Sequence, residues 1–217
     1  MTAGVDELPI EEGSVELSLR NEFQGLGLRY AIVEGRTGRS PRPVKQRLRH
    51  LSDRVHGERV LNLRREPVAG AYRIFFRQVG IDPDEFNPPA EAVMLERLRA
   101  GRFASHDLLE DALTVAVVET GVAVRAFDAD MLTGRLGLRL TQPDELLGDG
   151  PLKLDPGTIV LADERCPVGL IFGETARGFE VTKHTRRIAL CAVRVGGVPE
   201  ISVEEAIWSA AGIVGGR

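Results

Sequence analysis

At 217 residues, with 43% hydrophobic and 28% charged side chains, the chain can bury a core without disulfide or metal staples. Its two cysteines, Cys166 and Cys191, are too few for a disulfide framework or a four-thiolate zinc site, and a net charge of −4 excludes a globally basic nucleic-acid binder, so any RNA contact needs a local patch. The acidic start from Met1 to Glu12 is unlike a signal peptide, and no apolar run reaches membrane-span length, so a cytoplasmic protein with reduced thiols is expected.

In chain order, residues 1–13 read as a flexible tail and 14–217 as one domain. From Ser14 the pattern alternates. Val15, Leu17 and Leu19, then Leu26, Leu28, Tyr30 and Ile32, predict two half-buried strands joined by a turn at Asn21–Gly25. Val44, Leu48, Leu51 and Val55 predict an amphipathic helix. A second helix starts at Pro67, buries Val68, Ala71, Tyr72, Phe75, Phe76 and Val79, and stops at Gly80 before Pro83. A third runs from Pro89 to Gly101, with Ala90, Val93, Met94 and Leu98 inward. A fourth opens with Asp107 and Glu110 at capping-box spacing, and its apolar run through Val118 to Gly121 predicts a central, buried helix.

The second half predicts strands at Val122–Phe127, Arg135–Leu140, Thr158–Ala162, Val168–Phe172 and Arg187–Val195, the last an interior strand by its continuous apolar character. Ser202 and Glu205, again at capping-box spacing, predict a closing helix to about Ala211. Strands and helices mix without strict βαβ alternation. The expected class is therefore α+β, layered sheets with packed helices.

Phosphate-loop, GxSxG and HExxH motifs are absent. His50, His56, His106 and His184 are scattered without a second ligand at helical spacing, so no metal site is expected, and no organic cofactor is implied. From Arg36 to Arg65, ten Lys and Arg face only Asp53 and Glu58. Arg42, Lys45 and Arg49 lie off the apolar stripe of their helix; they suit either a solvated face or contact with an RNA backbone.

Several segments carry a family likeness in order and spacing. Glu119–Gly134, with Arg125-Ala126-Phe127-Asp128 at its centre, resembles the helix–glycine–strand segment reading His-Ala-Phe-Asp in the phenylalanyl-tRNA synthetase β subunit. Asp155–Asp163, Gly169–Glu174 and Val181–Arg187 resemble three later segments of its tRNA-editing (B3/B4) domain, and Ala71–Pro83 and Pro89–Leu98 resemble free-standing members. The likeness spans about residues 14–212 and is strongest over 66–194.

The resemblance implies sheet layers with packed helices around a groove for the aminoacylated end of tRNA. It makes tRNA or aminoacyl-tRNA the expected partner and Glu174 the candidate catalytic group. Arg125, Asp107, Asp111, Gly169, Gly173 and Thr175 become candidate substrate contacts. Hydrolysing a mischarged ester requires a placed water, donors for the oxyanion and a group to hold the α-ammonium. Two departures bear on that chemistry. Arg125 replaces the family histidine and, being permanently protonated, cannot act as a base, although it can bind a phosphate or carboxylate. Asp107 and Leu108 replace paired asparagines. Trans-editing hydrolysis, a non-catalytic tRNA-binding module and a small-molecule binder on the same fold all remain open at this point.

Overall fold

The computed structural model describes residues 8–55 and 57–216. They form an α+β structure with two four-stranded sheets. In the first, β1 (Glu11–Glu12), β3 (Gly27–Glu34), β8 (Arg187–Arg194) and β4 (Val124–Asp128) lie in that order, all antiparallel. In the second, β2 (Ser14–Val15) runs parallel to β5 (Gly137–Leu140), which continues antiparallel to β6 (Ile159–Ala162) and β7 (Pro167–Leu170). Side chains of both sheets share one core: Leu138, Val160, Leu161 and Val168 pack with Phe127, Ile188 and Leu190. β8 is the interior strand its composition predicts, paired on both edges and buried from Ile188 to Val193.

The helices are α1 (Leu17–Glu22), α2 (Arg42–Arg54), α3 (Gly57–Leu63), α4 (Pro67–Gln78), α5 (Pro89–Ala100), α6 (Leu108–Thr120) and α7 (Glu200–Val214). α7 packs on β8 and β3, α6 packs on α7, and α2 and α5 pack on α6. The apolar run of α6 is thereby explained, because helices or strands meet it on several sides. The stop signals act as predicted. Gly80 takes a positive φ of 79°, and Ile81 N–H returns to Phe76 C=O at 2.8 Å, the closing bond of a Schellman turn. Asp107 caps α6 by accepting from Glu110 N–H at 2.9 Å.

Four expectations need correction. Residues 1–7 of the expected tail lie outside the described residues, but Glu11–Glu12 is a strand whose partners are Tyr30 and Arg29. The first predicted strand ends after Val15, and Leu17–Glu22 is helical. Leu19 and Phe23, four apart, share one helical face in the core, while Leu17 is 69% exposed. Alternation over so short a run cannot separate the two periods. The helix α3 was not expected; Val60 and Leu63, three apart, are buried against α5. The capping box proposed at Ser202 is absent, since α7 starts at Glu200 after Pro199 and Ser202 sits inside its first turn. Proline suits that start because the first helical N–H groups have no helical acceptor in any case.

Candidate functional site

β7 ends in a tight turn that returns the chain to its own neighbour. Gly169 bridges Thr175, Leu170 N–H donates to Glu174 C=O at 2.9 Å, and Gly173 N–H donates to Leu170 C=O at 3.3 Å. The turn has a base, Gly169 and Thr175, and a tip, Leu170–Gly173.

Arg125 reaches the base from β4. Its guanidinium donates to Leu170 C=O and to Thr175 Oγ1 (2.8 Å), and it lies over the Phe127 ring at 5.4 Å. Burial disfavours its charged form and lowers its pKa. A Cβ at position 169 would stand 3.1 Å from both an Arg125 terminal nitrogen and Glu174 C=O, so the close approach of these groups requires glycine there. Cys191, opposite Arg125 on β8, is fully buried, and its thiol pKa is pushed up to about 12, which removes it as a thiolate nucleophile.

The tip borders a cleft of about 980 Å³. Its other walls are the end of α1 with Phe23, the end of α4 with Phe76 and Val79, the segment 81–87, and the edges of β5 and β6 at Leu140 and Ile159. Phe172 in the tip stacks on Phe76, with ring centroids 5.1 Å apart, and meets Tyr72 and Phe75 edge to face. The segment 81–87 also lines the cleft and carries Phe86, which is 66% exposed. That segment is held by a charged network. Arg73 donates to Glu91 (2.9 Å), Asp84 (2.7 Å) and Pro83 C=O (3.3 Å), and Arg64 joins Asp84 at 3.0 Å and Glu91 at 3.2 Å.

The family follows from the span that contains these parts: the model for the B3/4 domain matches residues 71–198. The chain belongs to the B3/4 domain family. The match runs from α4 through α5, α6 and β4 to just past β8, so it covers the turn, Arg125 and much of the cleft wall. Similar proteins include the phenylalanine–tRNA ligase beta subunit of Idiomarina loihiensis, 31% identical over 105 residues, 47% of this chain and 13% of that protein. The corresponding subunit of Xylella fastidiosa is 36% identical over 109 residues, 48% and 13% of the two chains. That of Photorhabdus laumondii is 34% identical over 105 residues, 46% and 13%. The similarity thus spans about an eighth of each relative.

Within this B3/4 chain the expected site residues fall into three places. Arg125, Gly169, Gly173, Glu174 and Thr175 come together at the turn. Glu174 is exposed just past Gly173, and of these five only Gly173 borders the cleft. Asp107 and Asp111 belong instead to the start of α6. Asp111 is 1% exposed and accepts from Ser105 Oγ (2.6 Å) and His106 N–H (3.0 Å), so it orders the entry to that helix. Arg42, Lys45 and Arg49 line up on α2; Arg42 and Arg49 are exposed and Lys45 is half-buried. Among the described residues none of the three forms an ion pair, whereas Arg47, on another face of the helix, is held by Glu119 at 2.6 Å.

The likeness implies a groove, but of the expected site residues only Gly173 lines this cleft, and its aromatic walls were not identified from sequence. Phe76 belongs to a core-facing stripe, as its spacing predicts, and it also lines the cleft. A signal for Phe86 was present: an aromatic between Asp84-Glu85 and Asn87-Pro88-Pro89 belongs to neither a helix nor a strand face, so nothing local buries it. Among the described residues no cluster of His, Cys, Asp and Glu is placed to hold a metal, and no helix is long and apolar enough to cross a membrane.

Proposed function

We propose that this B3/4 chain binds aminoacyl-tRNA, with the aminoacyl group in the cleft beside Leu170–Gly173 and the cations Arg42, Lys45 and Arg49 of α2 meeting the RNA backbone. One observation carries the reading. The segment Gly169–Glu174 that resembles the editing domain contributes Leu170–Gly173 to the wall of the cleft. Relatives named as a tRNA ligase subunit make the RNA partner chemically coherent. The α2 face is the local patch that a chain of net charge −4 needs for such contact. Binding should weaken as salt rises, and replacing Arg42, Lys45 and Arg49 with glutamate should lower affinity at least about tenfold and flatten the salt dependence. Affinity that ignores both changes would discard the role of α2. No affinity for any aminoacylated tRNA at low salt would discard the reading as a whole.

A second reading, binding without hydrolysis, is favoured by a separate observation. Arg125 is bonded to Leu170 and Thr175, and Glu174 does not border the cleft. A deacylation screen across mischarged tRNAs separates the two. A rate above buffer that disappears in Glu174→Ala supports trans-editing, and binding with no such rate supports a carrier or sensor.

A further inference from the structure

A second cavity, of about 330 Å³, lies between the end of α5, the segment 101–107 and the start of α6, and it shares no lining residue with the cleft. Val93, Phe103 and Leu113 give it apolar walls. The charged lining residues Glu96, Arg102, His106 and Glu110 are exposed, whereas Arg97 is half-buried. Arg97 donates from Nη2 to Ser52 C=O at 2.7 Å, in the last turn of α2. Among the described residues no carboxylate pairs with its guanidinium, and its Nε is buried without an acceptor. That is exceptional in this chain. Arg29, Arg73, Arg139 and Arg194, also buried or half-buried, each pair with a carboxylate, and Arg125 has two acceptors. A half-buried guanidinium with a single carbonyl partner has lost water that nothing has replaced, and an acceptor beside it would recover that cost.

We propose that this cavity is a binding site for a small organic carboxylate, held by Arg97, with its apolar body against Val93, Phe103 and Leu113. A carboxylate matches the planar fork of a guanidinium and supplies the acceptors that Arg97 lacks. One half-buried cation suits one negative charge. In the exposed lining Arg102 opposes both Glu96 and Glu110, which disfavours a phosphate, with its greater charge and no apolar body. The site is set before a ligand arrives, because Ser52 holds both sides of it: its carbonyl fixes Arg97, and its Oγ accepts from Phe103 N–H at 2.8 Å. An aminoacyl ester has no free carboxylate, so this site differs in chemistry as well as in place from the aminoacyl cleft proposed above.

The test is chemical-shift titration of the full chain with isovalerate, isovaleramide, acetate and inorganic phosphate. Isovalerate should shift the amides of Arg97, Phe103 and Thr114 saturably. Isovaleramide, which has the same shape and no charge, should be weaker by about tenfold or more, since the charged hydrogen bond is lost. Acetate should be weaker by about fivefold or more, for the missing apolar body. Phosphate should be weaker than isovalerate at the same amides. L-Valine, isovalerate with an added α-ammonium, separates an amino acid from a simple organic acid as the source of the carboxylate; either order between the two upholds the proposal. Arg97→Lys keeps the charge and a donor for Ser52 but not the fork, and should weaken isovalerate by about 3- to 10-fold while leaving isovaleramide unchanged. Ala104→Leu, at an exposed position in the lining, leaves Arg97 intact and should weaken the acid and the amide alike with Tm unchanged, so the proposal stays testable if the Arg97 variant is unstable. No saturable shift with isovalerate, an amide that binds as tightly as the acid, phosphate binding more tightly than isovalerate, or isovalerate affinity unchanged in Ala104→Leu overturns it. None of these outcomes depends on tRNA, so failure here and failure of the aminoacyl-tRNA reading are separate results.

Discussion

The base and the tip of the turn after β7 belong to one seven-residue stretch, Gly169–Thr175, yet they meet opposite surroundings. At the base a guanidinium from β4 fills the space that a side chain at 169 would need, and its bonds close the region. At the tip, Leu170–Gly173 border about 980 Å³ of open cleft. The base is where the family likeness predicts chemistry, at Arg125 and beside Glu174; the tip is where there is room for a ligand. Where the resembled synthetase segment has a histidine, this chain has Arg125, whose guanidinium is bonded to both sides of the base. Function on this fold must then be argued from the cleft and not from the likeness alone.

The comparison breaks most severely if the wall opposite the tip is loosened. Arg73 and Glu91 are a buried pair, Glu91 only 2% exposed, and Arg73 also holds Asp84 and Pro83. Glu91→Ala leaves a buried guanidinium with one carboxylate fewer. The expected loss is about 3–5 kcal/mol, or roughly 6–20 °C in Tm for a chain of this size. Calorimetry would measure it, and a loss under about 1 kcal/mol would show that the network does not anchor the wall. At the base the effect should be smaller. Gly169→Ala forces Arg125 or the Glu174 carbonyl to move and should cost about 1–3 kcal/mol. If the base is packed as described, Arg125→Met should reduce that cost, because the nearest atom is then a flexible thioether; identical costs in both backgrounds would refute the packing. Thr175→Val removes one acceptor from Arg125 and should cost about 1–2 kcal/mol, with faster amide exchange at Gly169–Thr175 as its signature.

Much of this was legible beforehand. The helices α2, α4, α5 and α6 follow from apolar spacing and from glycines and prolines at their ends, and β8 from a continuous apolar run. The convergence of Arg125 with Gly169–Thr175 followed only from the likeness, since fifty residues separate Arg125 from Thr175 and no local rule pairs them. What could not be read is of two kinds. Short elements such as α1 and α3 contain too few residues to display a period. The cleft is a shape left between elements. Phe76 and Phe172 look like core in any periodicity argument, and only the placement of the segment 81–87 reveals that part of that core is open. Likewise Asp111 is a candidate site residue by the likeness, but its carboxylate is taken up by Ser105 Oγ and His106 N–H just before the helix.

The smallest expected effect sharpens the same contrast by pH. The edge of the cleft at Leu140 is held by two carboxylates. Glu16 accepts from Leu140 N–H at 2.9 Å and from Ser18 Oγ at 2.5 Å, and Glu145 accepts from Arg139 Nη1 at 2.8 Å and from Gln142 N–H at 2.9 Å. The Ser18 hydroxyl and Leu140 amide lower the pKa of Glu16, and the Arg139 guanidinium beside Glu145 lowers that of Glu145, each below the ordinary glutamate value of 4.5. A group with a depressed folded-state pKa adds stability that is present above its unfolded value and is lost as pH falls through the folded one. Protonation therefore loosens the β5 edge of the cleft in the acid range below 4.5 and leaves the base alone, because Arg125 uses a carbonyl and a hydroxyl and no carboxylate. Both glutamates are part-exposed, so each contributes on the order of 1 kcal/mol or less. Denaturant titrations between pH 7 and pH 3 should show stability falling with acid, with a shallower fall in Glu145→Gln. Amide protection should drop at Leu140 before it drops at Gly169, and the reverse order would mean that the base, not the cleft edge, is the part held by charge.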